Sequence, residues 1–116
     1  MKYVNKVAAQ GEMLIRRVDG FNGTRKEMET ENGKFILAHS ETGHHHVIDR
    51  EHVQVFEQTE NVPEGMGILQ MIVNSPSEIT HLRSTDTHEP LMLGEGLWEV
   101  RLQREYTPEG YRRVAD

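Results

Sequence analysis

Apolar and polar residues alternate in short runs along most of this chain, which is the pattern typical of half-buried β-strands. Gly67–Val73 departs from it as the longest apolar run in the chain. Such a run suits a strand buried on both faces, although its length also fits a short helix. The pair Asn32-Gly33 directly precedes one alternating run and suits a type I′ hairpin turn. The alternating runs occupy residues 12–18, 34–39, 44–49, 53–56, 78–83 and 97–106.

Many short strands with almost no helical periodicity predict an all-β fold, a small antiparallel sandwich or barrel. Thr107-Pro108 is a helix-start signal, so the fold should contain at most a short C-terminal helical turn. Residues 1–10 are weakly patterned and form either an N-terminal arm or an edge strand. Residues 11–116 then form a single β domain, which suits a chain of 116 residues.

Composition narrows the possible partners. The formal net charge of −6 argues against a general electrostatic grip on nucleic acid, and no apolar run approaches the length that spans a bilayer. We therefore expect a soluble, cytoplasmic protein that binds neither nucleic acid nor membrane. An exposed edge strand would favour a homo-oligomer. No P-loop or dinucleotide glycine fingerprint is present, so no nucleotide cofactor is expected.

Histidines are concentrated in one predicted hairpin. Four of the seven lie between Phe35 and Ile48. Residues two apart on a strand share a face, so a core-facing Phe35 and Leu37 would carry some of these imidazoles inward. On this parity His45 points outward, and three histidines point inward: His39, His44 and His46.

Inward imidazoles need partners, because burying a polar group unpaired costs about 1–3 kcal/mol. A divalent metal (Zn, Fe, Ni or Mn) is one such partner, since neutral imidazole nitrogens ligate these ions. There are no cysteines, so any metal site must use histidine or carboxylate ligands. His44 and His46 would aim at one point, with His88 after a polar turn as the third ligand. His39 is then a fourth ligand or an orienting residue, and Glu41 orients an imidazole or a water molecule.

The spacing of this segment resembles the first cupin motif, in which His-x-His is followed by a glutamate. Here His44 and His46 are followed at a matching distance by Glu51. Ala38 and Gln58 stand where that motif has glycines, and the sequence around His88 lacks the proline, glycine and asparagine of the second cupin motif. The resemblance implies a cupin-like jelly roll and a His-bound metal.

A wider resemblance covers nearly the whole chain. Four segments are similar to a set of short uncharacterised proteins from bacteria and phages: Gln10–Leu14, Leu37–His46, His88–Leu93 and Gln103–Glu109. It implies no activity. The matching positions include His39, Glu41, His44, His46 and His88. The other histidines fall outside it, and we expect them on the surface: His45, His52 and His81.

Two hypotheses follow. The first is a small β-domain that binds a divalent metal, with an open position compatible with hydrolytic chemistry, dioxygen chemistry or no catalysis. The second is a non-catalytic interaction or structural module, such as an accessory protein of a phage or mobile element. In the second, the histidines form a polar patch without metal.

Overall fold

The fold is built from twelve short strands in the part of the chain that the computed structural model describes, residues 2–10, 13–38, 45–81, 90–107 and 110–113. A 3-10 turn at Arg50–His52 is the only helical element in these ranges. No helix there is long and apolar enough to cross a membrane. The strands are β1 (Lys2–Val4), β2 (Val7–Gln10), β3 (Met13–Val18), β4 (Arg25–Glu27), β5 (Lys34–Ala38), β6 (His46–Asp49), β7 (Val53–Gln58), β8 (Met66–Val73), β9 (Ser77–His81), β10 (Leu91–Leu93), β11 (Gly96–Thr107) and β12 (Gly110–Arg113).

These strands form two sheets that pack face to face, which confirms the predicted all-β sandwich. The first sheet has five strands in the order β1-β10-β9-β6-β5. The second has seven, in the order β2-β3-β11-β8-β7-β4 with β12 paired to β11. All pairings are antiparallel except that of β1 with β10.

The core lies between the sheets and follows the alternation read from the sequence. On β11, Trp98, Val100 and Leu102 are fully buried, as the alternation in residues 97–106 predicts. On β8, residues of both parities are buried, which confirms a strand covered on both sides. Other inward residues from both sheets complete the cluster: Val4, Ala8, Met13, Ile15, Phe35, Leu37, Ala38, Ile48, Val53, Val55, Leu69, Met71, Val73, Ile79, Leu91 and Leu93.

The two-residue turn before β5 forms as predicted. Asn32 and Gly33 have φ angles of 52° and 77°, the left-handed values that a type I′ turn requires at both central positions. Glu31 and Lys34 exchange backbone hydrogen bonds of 2.8 and 3.0 Å across it. The turn therefore sets the start of β5, which carries Phe35 and Leu37 into the core.

Strands β5 and β6 pair as the predicted hairpin, with Phe35 opposite Ile48. The register shifts between Ile36 and Ala38, so Ala38 lies opposite His46. This irregularity interrupts the strict two-residue alternation, and Leu37 and Ala38 are both fully buried. The predicted turn at residues 40–43 lies outside the described residues.

Two strands were not predicted from the sequence pattern. Arg25–Glu27 forms edge strand β4 although it is entirely charged, because it pairs with β7 while its side chains stay exposed. After Thr107 the sequence allowed at most a short helical turn, and residues 110–113 form strand β12. Their pairing with β11 places Gly110 opposite Thr107, so the chain folds back as a hairpin.

The outer face of the seven-stranded sheet carries a charged cluster centred on Glu99. Its Oε1 accepts hydrogen bonds from Arg101 Nε at 2.6 Å and Arg16 Nε at 2.9 Å. Partial burial raises the pKa of Glu99, but the hydrogen bonds and charges of Arg101 and Arg16 lower it by more. The pKa of Glu99 therefore lies below its ordinary value, and the carboxylate is favoured in the folded state.

Replacing Glu99 with glutamine should lower the free energy of unfolding at pH 7 by about 1 kcal/mol. A lowered pKa stabilises the fold above the unfolded-state pKa of about 4.3, and that contribution is lost as the pH falls through the folded-state pKa. Urea unfolding of both proteins at about pH 7 and about pH 3 should therefore show a difference that narrows in acid. The exposed Glu60→Gln control should change stability by less than about 0.5 kcal/mol. An equal Glu99→Gln difference at both pH values would contradict the electrostatic explanation.

Candidate functional site

A pair of buried histidines lies between the sheets at one end of the sandwich. His46 begins β6 and His81 ends β9, and the two residues are direct cross-strand partners. Their side chains face the core, with 0% and 2% of each residue exposed. The rings stack with centroids 4.3 Å apart and planes inclined by 12°. The inward orientation predicted for His46 is confirmed.

The burial of His81 corrects our expectation that it lies on the surface. The alternation in 78–83 already placed His81 on the same face as Ile79, and Ile79 is fully buried. The expected surface position rested instead on His81 falling outside the resemblance to the short uncharacterised proteins. Imidazole packs well against another imidazole, so the stacked pair accommodates both rings in the core.

Gln10 fixes the orientation of His46 from the opposite sheet. It ends β2 with only 3% of its surface exposed, and its Oε1 lies 2.7 Å from Nδ1 of His46. An amide oxygen only accepts hydrogen bonds, so Nδ1 carries the proton and donates. The neutral imidazole then has its lone pair on Nε2, the tautomer in which Nε2 can ligate a metal. Gln10 was not predicted as part of the site, because nothing in residues 1–10 indicates a contact with a residue 36 positions later.

Four of the five residues predicted for the metal site lie outside the described residues: His39, Glu41, His44 and His88. The described residues at the borders of these stretches do meet at the histidine pair. The stretch 39–44 begins after Ala38, which lies opposite His46. The stretch 82–89 begins after His81 itself. The third stretch, 11–12, follows Gln10.

The described histidines outside this pair are less buried. His45 is half-buried, while His52 is exposed on the 3-10 turn with Nε2 3.7 Å from Glu51 Oε1. The expected surface position of His52 is confirmed. Among the described residues, no group of three or more histidine, aspartate or glutamate side chains has an arrangement that could hold a metal.

A separate surface cavity of about 640 Å³ lies between the β4–β5 segment and β7. Its buried floor is formed by Phe35, Val53 and Val55, and Glu29 and Arg50 are among the exposed residues around it. Gln10, His46 and His81 do not line it. This cavity is thus distinct from the histidine pair.

Comparison with known proteins places the chain in a family. Residues 9–103 match the model of a domain of unknown function, DUF8820, and the chain belongs to this family. The matched range contains Gln10, His46 and His81 as well as the predicted ligands in 39–44 and 82–89. No curated protein and no solved structure matched the chain.

Proposed function

We propose that this protein is a divalent-metal-binding β-domain whose site lies at the end of the sandwich marked by His46. His46 is the ligand whose surroundings the structure describes, and His44 and His88 are the further protein ligands. His39 serves as a fourth ligand or as an orienting residue beside Glu41. The resemblance to cupins supports this proposal only through the spacing of His44 and His46.

The observation that carries the proposal is the buried hydrogen bond between Gln10 and His46. Histidines that bind metals usually donate their other ring nitrogen to an acceptor, which fixes the tautomer and the direction of the lone pair. The 2.7 Å contact between Nδ1 and the amide oxygen has this arrangement. The stretches that carry the other proposed ligands start at neighbours of His46, which is consistent with a shared site.

The ligand chemistry selects first-row divalent ions. Imidazole nitrogens without thiolates suit Zn²⁺, Fe²⁺, Ni²⁺ and Mn²⁺, with Mn²⁺ the weakest by the usual order of affinities. Three imidazoles would leave a tetrahedral Zn²⁺ a fourth position for water or another small ligand, whereas four imidazoles would fill its coordination.

A second candidate function is a structural or interaction module without metal, such as an accessory protein of a phage or mobile element. The stack of His46 on His81 favours it, because together with the bond to Gln10 it supplies contacts for a buried imidazole within the described residues. In that case the cluster would specify how the two sheets pack. Its removal would then alter stability without altering metal content.

Metal analysis of protein purified without an affinity tag separates the two functions. We expect close to one metal per chain after incubation with Zn²⁺, Fe²⁺, Ni²⁺ or Mn²⁺ and removal of excess ion. His44→Ala and His88→Ala should each abolish this stoichiometric binding. His52→Ala is the matched control, since His52 is exposed on the 3-10 turn and should leave the metal content unchanged.

The metal proposal is wrong if the wild-type protein binds no ion and its thermal unfolding temperature is the same with and without each of the four metals. Ligand binding to the folded state alone would raise stability by about 2.7 kcal/mol at 100 times the dissociation constant, so the shift is measurable.

A further inference from the structure

One flank of the sandwich combines an open strand edge with exposed apolar side chains. β2 is the last strand of the seven-stranded sheet and pairs only with β3 among the described strands. Three large hydrophobic residues are exposed in the described part of the chain, and all belong to β1, β2 or β3: Tyr3 at 75%, Val7 at 60% and Leu14 at 43%. Val7 and Leu14 share the outer face with the exposed Ala9, because Leu14 is the cross-strand partner of Ala9.

The register shows which backbone groups of β2 face outward. The amide of Arg17 donates to the carbonyl of Lys6 at 2.7 Å, so Lys6 bonds toward β3. In an antiparallel ladder, hydrogen-bonded and non-hydrogen-bonded positions alternate along the strand. Ala8 and Gln10 therefore also bond toward β3. The N–H and C=O groups of Val7 and Ala9 point away from the sheet.

β2 also lacks the features that usually protect an edge from pairing with another chain. Protected edges carry charged residues, proline or bulges. Val7–Gln10 reads Val-Ala-Ala-Gln, without charge or proline, whereas β4 at the opposite edge of the same sheet reads Arg-Lys-Glu. The two edge strands of this sheet therefore differ: the charged residues of β4 oppose pairing with another chain, and Val7–Gln10 carries no such charge.

We propose that β2 is a homodimer interface, with two copies pairing antiparallel through this edge about a two-fold axis at Ala8. In this register Val7 lies opposite the partner's Ala9, and the outward N–H and C=O groups of both residues form four hydrogen bonds across the axis. Lys6 lies opposite the partner's Gln10, so no like charges meet along β2. The symmetric arrangement joins the two seven-stranded sheets into one.

The apolar outer face supports a second copy as the occupant. Because the interface is isologous, the strip formed by Val7, Ala9 and Leu14 meets the same strip of the partner. Both copies then remove these side chains from water together. A heterologous peptide would satisfy the strand edge but would need its own matching apolar strip.

Sedimentation velocity over a series of protein concentrations tests the dimer. We expect wild-type protein to reach about twice its chain mass of 13.4 kDa. Val7→Lys should give a monomer, because the charge enters the strip, while its exposed position leaves folding unchanged. The control Glu27→Lys on β4 should remain dimeric. A wild-type protein that stays monomeric at every concentration, or a Val7→Lys protein that stays dimeric, would overturn the proposal.

The register is tested separately with a spin label on Val7→Cys, since the chain has no native cysteine. Strand geometry places the two Val7 Cα atoms about 8 Å apart in the proposed dimer. Strong dipolar broadening is expected, and it should disappear when labelled protein is diluted with excess unlabelled protein. A label on Lys26→Cys should show no broadening. Broadening from Lys26→Cys instead of Val7→Cys would move the interface to the β4 edge and overturn the proposal.

Discussion

Replacing Trp98 with alanine is expected to lower the free energy of unfolding by about 3–5 kcal/mol, a large share of the marginal stability of a small domain. Trp98 is fully buried on β11, the central strand between β3 and β8. Its Nε1 donates to the Gly94 carbonyl at 3.0 Å, and the Arg17 guanidinium lies 4.4 Å from the ring centroid. Truncation would open a cavity, leave that carbonyl without this donor and remove the surface on which Arg17 rests. Urea unfolding monitored by circular dichroism measures the change.

Leu97→Ala is the matched control, because Leu97 neighbours Trp98 on the same strand but points to the opposite, partly exposed face. It should cost about 1 kcal/mol. If Trp98→Ala lowers the free energy of unfolding by less than about 1 kcal/mol, the sheets repack around the missing ring. Trp98 would then not be the residue that holds this end of the core together.

Arg17 packs over the Trp98 ring and contacts the turn at residues 94–96. Its Nη1 donates to the Glu95 carbonyl at 2.7 Å, and its side chain packs against Gly96. Gly96 has a φ angle of 142°, and a Cβ there would collide with the guanidinium. One arginine thus covers the tryptophan and bonds to the turn before β11, which explains why residue 96 is a glycine.

The sandwich could be predicted because its strands obey two-residue alternation. Trp98, Val100 and Leu102 show this clearly, since each faces the core and lies between polar neighbours. Strand β4 could not be predicted in the same way. Its residues bury nothing, and it exists because β7 offers a hydrogen-bonding edge formed by residues far along the chain. Charged sequences that become strands by pairing alone carry no periodic signal.

The candidate site was predictable in part. Parity placed His46 inside because it shares a face with Ile48, and both are buried. The same rule would have placed His81 inside beside Ile79, but His81 was expected on the surface because it falls outside the resemblance to the short uncharacterised proteins. Gln10 was beyond local rules, since its contact with His46 depends on how the two sheets are superposed. Pairings across sheets follow from topology, which short-range patterns do not encode.

His46 is contacted from both sheets, so its orientation depends on residues of both. His81 contacts it along β9 within the five-stranded sheet, while Gln10 reaches it from β2 of the seven-stranded sheet. The position of the His46 ring therefore depends on how the two sheets are aligned. The bond to Gln10 sets the direction of the ring, so it is the contact to change.

Replacing Gln10 with leucine is expected to weaken metal binding by about 10–100-fold, the usual cost of losing the residue that orients a ligating histidine. Leucine has similar size but accepts no hydrogen bond, so Nδ1–H of His46 loses its acceptor and the ring loses its fixed direction. Isothermal titration with the metal that the wild type binds most tightly measures the change. His46→Ala, which removes the proposed ligand itself, should abolish that site.

Gln10→Glu distinguishes an orienting role from a merely structural one. A carboxylate also accepts from Nδ1–H and makes the imidazole a stronger ligand, so this variant should bind metal at least as tightly as wild type. Without metal it should be less stable than wild type, because a carboxylate is then buried beside a neutral ring. If Gln10→Leu and Gln10→Glu lower stability equally while both leave metal affinity unchanged, Gln10 only packs the sandwich. If Gln10→Leu loses metal affinity and Gln10→Glu keeps it, Gln10 orients the ligating His46. Packing alone gives no reason for metal affinity to be lower in Gln10→Leu than in Gln10→Glu.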